Sequence, residues 1–313
     1  MKIFIYNFEN GYITNSIITG FSELNDEITV FYHISDFLYK DQKGLIDESL
    51  IQNQKLYGHA YTVNRNNIII ESNFDIILEN INNHYYDLCI FPFCNESIVF
   101  NKDFNNLLSF THNYYQTNEL FIIDECDNQS IIPLNIPISS YLYFKREFTN
   151  GNILHSNVFI FPISYSIPSE KFLPKNYNKP NLLINEYYYE GMMYDNRTRR
   201  DLKYTSCDDY FYEYNNSAFA LTGKRGGYDR MVHYEIIAGY CLPVFIDYIY
   251  MPRTVMTTWP SDLQMLANSY WHQYEFNYYF NETKYFNLLD QFYDYAYKNL
   301  TCEKLVKYLL SFY

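Results

Sequence analysis

Short runs of consecutive apolar residues recur through the first half of the chain, separated by polar stretches compatible with helices. The runs at 2–6, 28–32, 68–71, 88–91, 120–123 and 158–161 are apolar throughout rather than alternating, the pattern of strands buried on both faces. Between them, 74–82 carries helical spacing through Phe74, Ile77, Leu78 and Ile81. Pro92 and Pro162 close two of the runs, and Asp124-Glu125 closes another. This order predicts an α/β fold with a parallel sheet covered on both faces. No run approaches the roughly 20 residues that cross a bilayer. The opening apolar stretch gives way to Asn7, Glu9 and Asn10 too early for a secretion leader.

The prolines and polar residues of 163–168 and 174–180 mark the best linker. They divide the chain into 1–165 and 166–313, and a length of 313 residues suits two domains of about 100–200 each. The second unit reads as a strand at 181–185, a polar stretch carrying Arg197, Arg199 and Arg200, and a strand at 217–222. A loop, a helix at 229–238 and a strand at 242–246 follow. Thr301 is placed to N-cap a last helix running to Leu310.

Charge narrows the partners. Asp+Glu 36 against Lys+Arg 23 gives a formal net charge of −13, which repels phosphate backbones at long range and argues against nucleic acid. Tyr 37 and Phe 25 against Gly 10 reflect A+T-rich codons, so aromatic clusters are weak evidence for a stacking surface. The six cysteines are scattered, with no CxxC pair. They read as reduced thiols, zinc is not expected, and a cytoplasmic setting (of a bacterium or a virus-infected cell) follows as the expectation. Asp208-Asp209 sits in a Tyr-rich context and suggests no metal either.

Against this background 218–245 stands out. An apolar strand runs into a loop holding Gly223, Lys224, Arg225, Gly226, Gly227 and Tyr228, then into a helix with Asp229 as the expected N-cap and Gly239 as its stop. Glycines allow close backbone approach, and free amides with two adjacent cations attract a diphosphate. Arg230, His233 and Ile237 share one helix face; Glu235, about two turns in, is within reach of a sugar hydroxyl. Each residue alone has an ordinary explanation: a structural turn, a satisfied core histidine, a solvated glutamate. Their order and concentration favour a site.

The segment resembles the second domain of nucleotide-sugar-dependent GT-B glycosyltransferases, closest to exostosin-like and related bacterial and viral enzymes. Their Lys-x-Gly-Gly-aromatic-Asp loop, His-aromatic-Glu helix and Gly-Cys-x-Pro-Val ending stand here as Lys224, Gly226, Gly227, Tyr228, Asp229, His233, Tyr234, Glu235, Gly239, Cys241, Pro243 and Val244. Tyr240 separates Gly239 from Cys241, which the family joins directly. Weaker echoes are Phe121-Ile122-Ile123-Asp124-Glu125, Tyr143-Phe144-Lys145-Arg146-Glu147 and 162–168. The resemblance implies two Rossmann-like domains facing a cleft, the acceptor against 1–165 and the donor in 166–313. It further implies transfer of a sugar to a glycan, lipid or protein acceptor without a metal or a further cofactor. Glu235 would then hold the donor ribose, while Lys224 and Arg225 neutralise the departing diphosphate.

Such a transfer also needs cations on the leaving group and, with inversion, a general base. Arg199 and Arg200 are further diphosphate candidates. For the base, Asp124, Glu125, His233 and Glu9 compete, and Asp124 is favoured because it ends a strand at the ligand-bearing edge of an open sheet. Lys145-Arg146-Glu147 reads as surface charge pairing ahead of a cleft cluster. Two other classes compete: a non-catalytic nucleotide- or glycan-binding module, and a dinucleotide enzyme, which the absence of GxGxxG after the first strand disfavours.

Overall fold

Seven parallel strands form the larger sheet: β1 (Lys2–Asn7), β2 (Glu27–Tyr32), β3 (Ile68–Glu71), β4 (Leu88–Phe93), β5 (Leu120–Asp124), β6 (Leu142–Lys145) and β7 (Ile160–Pro162). Their order is β3-β2-β1-β4-β5-β6-β7, the Rossmann-like arrangement in which the winding reverses beside β1. A computed structural model describes residues 1–8, 11–32, 67–149, 160–185, 207–277 and 280–313. Its second sheet is three parallel strands in the order β10-β9-β8, with β8 at Asn181–Asn185, β9 at Ser217–Thr222 and β10 at Leu242–Phe245.

Alternation sorts the first sheet's residues onto two faces. Phe4, Tyr6, Phe91 and Ile122 pack under helices α2 (Phe74–Asn82) and α3 (Lys102–His112). Ile3, Ile5, Ile90 and Phe121 face the other way, toward α1 (Tyr12–Glu23). Rings fill both layers: Tyr6 touches Phe31, Phe91 and Phe104. In the second sheet Phe219 meets Tyr270, Trp271 and Tyr285. Much of the aromatic excess thus lies in the cores, and edge-to-face contact favours it there.

Helix α4 (Cys207–Asn215) precedes β9, and α5 (Met231–Ala238) joins β9 to β10. The chain ends with α6 (Ser261–Asn277), α7 (Glu282–Asn299) and α8 (Cys302–Leu310). Although α8 belongs by sequence to the second unit, it packs against α1 of the first sheet, burying Cys302, Val306 and Leu309. Its entry is fixed by backbone bonds from Ile167 to Leu300 (3.0 Å) and from Cys302 to Ile167 (3.1 Å). The proline-containing segment 163–168 has no helix or strand of its own, yet Ile163 through Ile167 are buried between the two layers.

Three details differ from the sequence reading. Pro92 does not close β4 but lies inside it, opposite Ile123. Beyond Ile90 that strand pairs only with β5, so no β1 ladder bond is lost at the missing N–H. Strand β6 and helix α1 are elements absent from the sequence reading. Thr301 occupies the N-cap of α8 without a side-chain capping bond.

Leu309→Ala removes a fully buried side chain where α8 meets α1. Denaturant unfolding should show a loss of about 2–5 kcal/mol. A loss below about 0.5 kcal/mol, the range of surface substitutions, would contradict this packing.

Candidate functional site

The turn leaving β9 is tied at both ends. The buried His233 ring sits 3.2 Å (Nδ1) from Thr222 Oγ1 and 3.0 Å (Nε2) from the Tyr228 carbonyl, and it stacks on Phe245 with centroids 4.3 Å apart. Arg230 Nη1 donates to the Gly223 carbonyl at 2.6 Å. The Lys224 amide donates to Asp247 Oδ2 (3.0 Å), and the Arg225 amide to the Gly227 carbonyl (3.2 Å). Among the described residues, the next three amides, of Gly226, Gly227 and Tyr228, donate to no protein group. Lys224 and Arg225 are exposed beside them, and Lys224 Nζ lies 4.6 Å from the Tyr228 ring centroid. Successive amides without a protein acceptor next to two cations suit an anion.

The first sheet supplies the opposing wall from the ends of β5 and β6. Lys145 Nζ donates to Asp124 Oδ1 at 2.9 Å with both side chains fully buried. Tyr143 and the Cys126 amide bond to the same carboxylate. Glu125 accepts the Ile13 and Thr14 amides, each at 2.8 Å, and so caps the start of α1; burial pushes its carboxyl above the ordinary value. Arg146 reaches across the junction: Nε donates to the Glu125 carbonyl (3.0 Å) and Nη1 to the Asp229 carbonyl (2.5 Å) and Glu147 Oε1 (3.2 Å). Its Nη2 pairs with Asp127, and the guanidinium lies 5.0 Å from the Tyr165 ring centroid.

Glu147 closes the contact by accepting the Asp229 amide at 2.8 Å. The two glycines are required by this approach. A Cβ on Gly226 would collide with the Asp127 carboxylate, and one on Gly227 with Glu147 Oε1 and Arg146 Nη1. The turn is therefore shut on its Gly227–Asp229 side and open along Lys224, Arg225 and Gly226.

Several expectations change. Lys145-Arg146-Glu147 is not surface pairing: all three side chains are buried, because β6 delivers them to the seam between the sheets. Asp229 does not cap α5, whose N-cap is Arg230 without a side-chain bond. Its carboxylate instead accepts the Tyr165 amide and the Tyr234 hydroxyl, each at 2.9 Å. Asp124 and His233 are fully buried and engaged, so neither faces solvent. Glu235 is buried in the second turn of α5, where Tyr210 donates to Oε2 at 2.6 Å and Tyr214 lies 3.1 Å from the Tyr210 hydroxyl. Glu9, Arg197, Arg199 and Arg200 lie outside the described residues.

The structure thus gathers Gly223 through Arg230 with Asp127, Arg146, Glu147 and Tyr165. Sequence reasoning missed Asp127, Tyr165, Asp247 and Tyr210. The usable signal was the apolar stretch 141–144 running straight into three charges, a strand end at a sheet's ligand-bearing edge. No three His, Cys, Asp or Glu side chains among the described residues converge as a metal site. No helix there is long and apolar enough to cross a membrane. Comparison with protein families finds no matching family model, and no curated protein matches the chain.

Burial raises Asp229 from its ordinary 3.8 to about 7, against the pull of Arg146 and its hydrogen bonds. The unfolded chain ionises this group near 4, whereas the folded chain resists until about 7. Between those values the folded state binds the extra proton, so this group's contribution to stability falls as pH rises. The stability of the wild type relative to Asp229→Asn should decline from pH 4 to pH 7, by at most about 4 kcal/mol at about 1.4 per unit. Chemical unfolding across that range measures it. A constant difference between the two proteins would contradict the burial of an ionisable Asp229.

Proposed function

We propose that the chain is a metal-independent glycosyltransferase, moving a sugar from a nucleoside-diphosphate-sugar donor to a glycan, lipid or protein acceptor. Three amides without a protein acceptor among the described residues, beside two exposed cations at the carboxyl end of a parallel strand in a chain of net charge −13, are the observation that carries this reading. Gly226, Gly227 and Tyr228 offer N–H groups to the diphosphate, and Lys224 and Arg225 balance the charge that develops as it departs. Glu235 holds the donor ribose. In this reading the two units are Rossmann-like domains of a GT-B arrangement, with the donor on the second and the acceptor on the first. Arg199 and Arg200 are further diphosphate contacts.

Asp124 and His233 serve as framework here, the first fixing Lys145 at the seam and the second holding the turn. This favours a second reading on a specific observation. Asp124, Glu125 and His233 are buried and bonded within the protein, so none of these base candidates faces an acceptor. A nucleotide-sugar-binding module without transfer fits the same turn.

Incubation with UDP- and GDP-sugars, read as nucleoside diphosphate release, separates them. Transfer predicts release that falls by about 100-fold or more in Lys224→Ala and also falls in Glu235→Ala. Tight binding without release supports the second reading. Release unchanged in both variants would refute the site.

A further inference from the structure

We propose that Arg146 is itself a diphosphate-binding cation, held in reserve by Asp127, whose carboxylate occupies the anion position before Gly226 until a diphosphate displaces it. The inference rests on the reading of the Gly223–Asp229 turn as a diphosphate site. It starts from the closeness of Asp127 to Gly226, which leaves no room for a Cβ. A carboxylate of the first domain thereby stands against the backbone that a phosphate oxygen would approach. It also binds the nearest buried cation, through Nη2 of Arg146.

The two partners differ in freedom. The Arg146 side chain is 2% exposed and that of Asp127 63%. Nε and Nη1 of Arg146 are fixed by the carbonyls of Glu125 and Asp229 and by Glu147, and the guanidinium lies near the Tyr165 ring. Asp127 can swing into water because its own side chain is mostly exposed, while Glu147 and the carbonyls of Glu125 and Asp229 continue to compensate the buried guanidinium. Arg146 stays where its other bonds hold it, and its planar fork suits bidentate contact with a phosphate. The local balance points the same way. One guanidinium pairs with two carboxylates, the buried Glu147 and the exposed Asp127, and Asp127 is the one able to leave. Donor binding would exchange an internal anion for an external one and loosen a bond that joins the domains.

The test is titration calorimetry of the full chain with inorganic pyrophosphate, beside a thermal-shift series with UDP and GDP. Asp127→Asn should bind pyrophosphate about tenfold more tightly than the wild type, since a competing like charge a few ångströms away is removed. Asp75→Asn, the same charge change on exposed α2, should bind as the wild type does. Adding Arg146→Lys to Asp127→Asn should reverse the gain, provided the double variant's melting shows it folded. Asp127→Asn binding pyrophosphate no more tightly than the wild type, while UDP or GDP still stabilises the wild type, overturns this inference and leaves the site standing. A gain that survives Arg146→Lys overturns the role of Arg146. Failure of pyrophosphate, UDP and GDP to bind either protein overturns the diphosphate site and this inference with it.

Discussion

A buried guanidinium ties the end of the first sheet to the glycine turn of the second. Arg146 spans from the carbonyl after β5 to the carbonyl before α5, and Glu147, Asp127 and the glycine turn gather around its charge. A cation taken out of water is tolerated only with dense compensation. Glu147 and Asp127 provide it by ion pairing, and the carbonyls of Glu125 and Asp229 by hydrogen bonding. Burial opposes the Arg146 charge, but Tyr165, Glu147, Asp229 and Asp127 more than offset that, so the guanidinium stays protonated. The glycine turn is placed by the same contacts: Glu147 holds the Asp229 amide, and Gly227 lies where any side chain would strike Glu147 or Arg146.

That constraint leaves the turn with two unlike sides. Toward the seam it is closed by carboxylates and buries Gly227 and Tyr228; toward solvent it presents Gly226 and the side chains of Lys224 and Arg225. The chain's acidic balance makes this concentration of positive potential local, which suits a small anion rather than an extended polyanion. His233, buried in α5, braces the turn from beneath, and Glu235 on the same helix accepts a bond from Tyr210 of α4.

Much of the architecture was legible because a parallel sheet writes itself as continuous apolar runs. The strands at 2–6, 28–32, 68–71, 120–123, 181–185 and 217–222 lie within those the structure forms. Where the pattern failed, another force decided. Pro92 is tolerated inside β4 because the pairing with β1 ends at Ile90, before it. Lys145, Arg146 and Glu147 look like surface residues because composition says nothing of the ion pairs that let charges be buried. Asp229 has the right type and place for a helix cap, but the tertiary bonds to Tyr165 and Tyr234 take its carboxylate. Asp127 was invisible for a similar reason, since its importance arises only from the approach of a turn about a hundred residues away. The glycine turn itself was legible, being both local and chemically distinctive.

Hydrogen exchange of the backbone amides tests the central claim most directly. With a nucleoside diphosphate bound, the amides of Gly226, Gly227 and Tyr228 should become protected, because they gain an acceptor that the protein does not provide. Protection confined to other segments, with these three amides exchanging as fast as in the free protein, would contradict the account.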